Sequence, residues 1–84
     1  MANDELKNEA MELFNAKEYA KSLELYQYLA NQGDLASLST VGYFYHNGLA
    51  VEQSYQKAIE YYEKAAKEGE HSSAYNLGLL YFRG

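Results

Sequence analysis

An all-α solenoid of about two and a half helical hairpins, five helices in one domain, is the fold class these 84 residues predict. Three observations carry that expectation. Shifted by 36 residues, the chain lies on itself: Tyr19, Lys21, Glu24, Tyr26, Ala30 and Gly33 recur as Tyr55, Lys57, Glu60, Tyr62, Ala66 and Gly69. Further on, Ser37, Gly42, Tyr45 and Gly48 recur as Ser73, Gly78, Tyr81 and Gly84. A fixed period of this size marks a supersecondary unit that stacks on its own copy. There is no proline, and apolar residues fall at helical spacing along the chain.

Each element follows from local signals. The first helix is expected over residues 4–15, with Asn3 as its N-cap. The second runs over 17–31 and stops at Gly33, which can take the left-handed conformation that ends a helix. Asp34 then caps a third helix over 35–46, closed by Asn47 and Gly48. A loop of residues 49–53 leads to Ser54, the N-cap of a fourth helix running to Glu68 and ended by Gly69. The fifth spans 71–82. The repeating units are thus about 3–33, 34–69 and a half unit, 70–84. Ala10 pairs best with Gly42, a step of 32, so the first hairpin lacks the four extra residues found around Leu49–Glu52.

The fourth helix shows how the units should pack. Ala58, Tyr62, Ala65 and Ala66 share one face, small residues letting a neighbour approach while Tyr62 fills the space between. The opposite face is charged, and Glu60–Lys64 and Glu63–Lys67 stand at the favourable i,i+4 spacing. The third helix is apolar over most of its circumference, as befits an inner layer. Gly42 and Gly78 each cost roughly 1 kcal/mol against Ala in a helix interior, so close helix contact is the expected reason for both.

Composition excludes several function classes. The net charge is −5, with 7 Lys and Arg against 12 Asp and Glu, so no basic stripe can neutralise phosphates and neither nucleic acid nor an anionic membrane is an expected partner. No cysteine is present, which removes disulfides and thiolate chemistry. The acidic N-terminus carries no signal-peptide pattern and no apolar run approaches a membrane span, so the expected location is cytoplasmic. His46 and His71 are the only histidines and fall on different helices without metal-ligand spacing. The serines cluster near helix starts, no glycine-rich phosphate cradle is formed, and no acid/base pair stands out. Neither catalysis nor a cofactor or metal is expected.

The motif Val41-Gly42-Tyr43-Phe44-Tyr45-His46-Asn47-Gly48-Leu49-Ala50-Val51, followed by Ser54, Lys57-Ala58, Tyr61-Tyr62-Glu63-Lys64-Ala65-Ala66 and Gly69, closely resembles a SEL-like repeat. Residues 77–84 look like the opening helix of another, and the first unit looks closer to a tetratricopeptide unit. The resemblance implies antiparallel helix pairs stacked into a right-handed superhelix, and an adaptor or scaffold whose concave face binds a protein or peptide segment. In proteins of this type the first helix of each pair lines that face. Carried over by motif position, this gives Lys7, Met11, Phe14 and Asn15, then Ser39, Tyr43, His46 and Asn47, then Tyr75, Leu79, Phe82 and Arg83, with Tyr43, Asn47 and Tyr75 sharing one hollow.

Rigid aromatics with Asn, His and Arg have the chemistry of a protein-binding surface. The same aromatics could instead pack between repeats, Met11 could fill a gap, and His46 could serve as a hydrogen bonder at its helix end. The alternative function is a structural oligomerisation unit. Leu77, Leu80 and Tyr81 occupy positions a following helix would cover, so self-association through the fifth helix, most simply as a two-fold homodimer, is expected.

Overall fold

The computed structural model describes residues 3–83 as five helices of 13 residues each: α1 (Asn3–Asn15), α2 (Tyr19–Asn31), α3 (Leu35–Asn47), α4 (Tyr55–Lys67) and α5 (His71–Arg83). Each helix is about 20 Å long at 1.5 Å per residue. The molecule measures 38 × 25 × 16 Å, so its long dimension runs along the stack. Among the described residues, most contacts join helices adjacent in the chain. Gly84, the expected recurrence of Gly48, lies outside the described residues, as do the side chains of Asn3 and Arg83.

The turns explain why the helices stop where they do. After α1, Lys17 N–H donates to the Phe14 carbonyl at 3.0 Å and Glu18 N–H to the Leu13 carbonyl at 2.9 Å. The same pair of bonds closes α2 at Gly33 and Asp34, and α4 at Gly69 and Glu70. This double bond needs a left-handed residue at its centre, which Gly33 (φ 96°) and Gly69 (φ 102°) supply without strain. Lys17 holds the position with φ 64° although it has a side chain. That conformation moves the start of α2 from the expected residue 17 to Tyr19. Asn3 is already inside α1, so it is not the cap expected there. Asp34 and Ser54 do cap their helices, accepting from Ser37 N–H at 3.1 Å and Lys57 N–H at 3.2 Å.

The two hairpins differ as their unequal spacing requires. Three residues (16–18) join α1 to α2 and seven (48–54) join α3 to α4, a difference of four. The longer loop is pinned to α3 by Ser54 N–H donating to the Tyr45 carbonyl at 2.9 Å and Gln53 Nε2 to the His46 carbonyl at 2.9 Å.

Two apolar clusters hold the stack. In the first, Ala10, Leu23, Tyr26, Val41 and Phe44 are buried, and the Phe44 ring meets Phe14 edge-on at 5.7 Å between centroids. Ser22 Oγ donates to the Ala10 carbonyl at 2.8 Å, which the small Ala10 side chain leaves accessible to α2. The second cluster joins α4 to α5 through Ala58, Tyr62 and Leu80, with Leu77 and Ile59 half-buried beside them.

Three expectations are corrected here. Leu80 is buried against α4 and cannot form a self-association face; it stands 36 residues after the buried Phe44 and takes the same inward direction. Gly42 is in close contact, since a Cβ there would lie 2.8 Å from Tyr62 Cε1, but Gly78 has nothing within 4 Å of where a Cβ would be. Glu60–Lys64 and Glu63–Lys67 do not close as ion pairs. The pairs formed among the described residues are Lys7–Asp34 (3.1 Å) and Lys21–Glu18 (3.7 Å), while Glu63 accepts from the Tyr81 hydroxyl at 3.2 Å. Long charged side chains on an open face gain little by pairing.

Candidate functional site

The odd-numbered helices together enclose a hollow of about 380 Å³. Met11, Phe14 and Asn15 form its α1 wall; Ala36, Ser39, Thr40 and Tyr43 of α3 form its floor; Glu70, Ser72 and Asn76 close it from the α5 side, with Tyr26 behind. Met11 and Tyr43 are 50% and 43% exposed, so both offer apolar area to an incoming chain. Phe14 is held by the core, at 5.3 Å from Tyr19, and its ring lies 6.1 Å from that of Tyr43. An aromatic pair with one ring fixed and the other open is an ordered surface with low entropy cost on binding.

Several polar groups of the hollow are already engaged. Thr40 Oγ1 donates to the Ala36 carbonyl at 2.8 Å, and Glu70 Oε1 accepts from Ser73 N–H at 2.7 Å, capping α5. The Glu70 carboxylate retains acceptor capacity. No cation lines the hollow among the described residues, and Glu70 is the charged group present. Behind it, burial raises the Tyr26 hydroxyl above its ordinary pKa, with the charge of Asp34 adding to the effect, so this wall stays neutral.

The residues expected at the binding face divide. Met11, Phe14, Asn15, Ser39 and Tyr43 come together in the hollow. Lys7 does not line it; its ammonium pairs with Asp34 and links α1 to the start of α3. His46 turns toward α4, its Nδ1 3.3 Å from the Tyr62 hydroxyl and its ring edge-on to Tyr55 at 5.6 Å. Asn47 Nδ2 donates to the Tyr43 carbonyl at 3.1 Å, next to the hollow without lining it. Tyr75 and Phe82, 69% and 90% exposed, and half-buried Leu79 lie on other parts of α5. The Arg83 side chain falls outside the described residues. Tyr43, Asn47 and Tyr75 thus do not share one hollow.

Sequence reasoning passed over Tyr26, Ala36, Thr40, Glu70, Ser72 and Asn76. The repeat held the signal: Ala36 and Thr40 recur 36 residues on as Ser72 and Asn76. Their stripe on α5 is the edge turned back toward α3, whereas Tyr75 and Leu79 repeat Ser39 and Tyr43. A second hollow, about 620 Å³, lies between α2 and α4, with Leu35, Leu38 and Val41 of α3 as floor and Gln27, Asn31, Lys64 and Glu68 at the rim. It is the larger, but Leu38 and Val41 are buried already, and its rim is mostly long, flexible side chains. Of the two, the smaller hollow carries the exposed Tyr43 beside the fixed Phe14.

The sequence pattern of the Sel1 repeat matches residues 16–34, 36–70 and 71–84. The chain belongs to the Sel1 repeat family. A crystal structure of a Sel1 repeat protein from Oxalobacter formigenes superposes with a TM-score of 0.81 at 33% sequence identity, over 94% of this chain and 32% of that one. The chain therefore spans about a third of that relative's length. A comparison with curated proteins returns no match. Sel1 repeats form helical solenoids that act as protein-interaction scaffolds without catalysis of their own. The matched segments begin at residue 16, so α1, which lacks the SEL-like pattern, supplies one wall of the hollow from outside them.

No group of three or more His, Cys, Asp or Glu that could hold a metal ion occurs among the described residues. No helix among them is long and apolar enough to cross a membrane.

Proposed function

We propose that this Sel1 repeat chain is a non-catalytic adaptor that binds an extended protein or peptide segment in the hollow between α1, α3 and α5. The observation that carries this reading is the convergence of Met11, Phe14 and Tyr43 with Asn15 and Asn76 from three helices. The exposed rings and thioether take an apolar side chain, and the two amides can each both donate to and accept from a peptide backbone. Glu70, the charged group lining the hollow among the described residues, favours a neutral or basic segment.

Peptides selected by display against the chain test the site. Their binding should shift the backbone NMR signals of Asn15, Tyr43 and Asn76, and Tyr43→Ala should weaken it about tenfold or more, as for an aromatic hot spot. Shifts gathered instead at Gln27, Asn31 and Lys64 would assign binding to the hollow between α2 and α4.

A further inference from the structure

The carboxylate at the start of α3 and the one at the start of α5 are equivalent in the repeat but differently partnered. Asp34 caps α3 and receives hydrogen bonds from the Lys7 ammonium at 3.1 Å, the Ser37 N–H at 3.1 Å and the Ser37 hydroxyl. Glu70 replaces Asp34 one period on. It accepts from the Ser73 N–H at 2.7 Å, and among the described residues nothing else donates to it. The Ser73 hydroxyl, counterpart of the Ser37 hydroxyl, is buried without a partner among them.

The absent cation has a definite origin. By the step of 32 that relates α1 to α3, Lys7 corresponds to Ser39. Ser39 is buried and uncharged, and it lines the hollow together with Glu70. Asp34 is thus neutralised from within the chain, whereas Glu70 presents its charge to an open hollow. The N-terminus of α5 draws on the Glu70 charge, but α3 does the same for Asp34, which still takes an ammonium. We propose that the segment bound in the hollow carries a lysine or arginine whose cation seats on Glu70 Oε2, the oxygen not bound to Ser73, in the role that Lys7 plays on Asp34. This rests on the hollow being the binding site. The base then lies toward α5, and an apolar side chain of the same segment lies against Met11 and Tyr43. A charge-assisted bond in a partly enclosed site selects more strongly than a surface ion pair.

Parallel selections from a random peptide library, one against the parent chain and one against Glu70→Gln, test this. Glutamine keeps an oxygen to accept from the Ser73 N–H, so α5 stays capped while the charge is lost. Peptides selected on the parent should share a basic position that peptides selected on the variant lack, with an apolar position common to both. Replacing that base by glutamine in one selected peptide should weaken binding about fivefold or more on the parent and leave it unchanged on Glu70→Gln. On the parent, the NMR signal of the Glu70 side-chain carboxyl should move with the basic peptide and not with its glutamine version, a readout that needs no variant to fold. No shared basic position, an equal loss on both proteins, a Glu70 signal that stays in place, or no selected peptide at all would overturn the proposal. Signals shifting at Asn15, Tyr43 and Asn76 without a basic preference would end this inference alone. Signals shifting at Gln27, Asn31 and Lys64 would end the reading of the hollow as well.

Discussion

Gly42 and Gly78 are the same residue at the same repeat position, but only Gly42 has a neighbour that excludes a side chain. At Gly42 the notch is filled by a fully buried ring that cannot swing away. Gly42→Ala should therefore lower stability by ~1 kcal/mol or more, overpacking outweighing the helix propensity gained, and urea unfolding midpoints would show it. A variant as stable as the parent would mean that the α3–α4 contact is looser than described. Serine shows a similar divergence. Ser37 Oγ donates to Asp34 Oδ2, whereas its repeat partner Ser73 is buried with Oγ unpartnered among the described residues. Glu70, which replaces Asp34 one period on, meets the Ser73 N–H instead.

At the scale of the element, Asp34 joins three helices: it follows α2, caps α3 and binds Lys7 of α1. Burial pushes its carboxyl up, but hydrogen bonds from Ser37 and Lys7, with the Lys7 charge, outweigh burial and hold it below the ordinary carboxylate range. A carboxylate whose pKa is lowered by folding stabilises the native state above its unfolded pKa, and that contribution is lost as pH falls through the folded value. Stability should therefore decline below about pH 4. Asp34→Asn should flatten that decline and cost about 1 kcal/mol near neutrality through the weakened cap and lost ion pair. Thermal melts across pH 2–7 would check both; an unchanged acid limb in the variant would refute the assignment. Element ends show a further contrast: Gly33, Gly48 and Gly69 announce three helix stops, while the left-handed Lys17 announces nothing, and the start of α2 is misplaced by two residues for that reason.

Across the whole molecule, most contacts run between neighbouring helices, with Phe14 and Lys7 of α1 also reaching α3, so stability is nearly one-dimensional toward the α5 end. Removing the buried leucine of α5 should consequently act locally. Leu80→Ala is expected to cost ~2 kcal/mol or more at the α4–α5 contact. Hydrogen exchange should then quicken throughout α5 and at the adjoining face of α4, with α1 and α2 almost untouched. Uniform loss of protection over all five helices would show a single cooperative unit instead.

The period of 36, the glycine stops and the caps at Asp34 and Ser54 are local in origin, and so the five helices, their order and the family were legible in the residues alone. Direction was harder to read. A repeat specifies equivalent positions, but what meets each position depends on which neighbouring helix is present. Phe44 and Leu80 both turn inward because each has a preceding helix to meet; Gly42 is covered and Gly78 is not because only α3 has a following one among the described residues. The hollow depends on helix placement in the same way. Its α5 wall is Ser72 and Asn76, on the edge turned back toward α3, and not Tyr75 and Leu79, their more conspicuous neighbours. Helix formation is decided within a few residues of chain, whereas the side that each helix presents to a ligand is decided by the packing of residues dozens of positions apart.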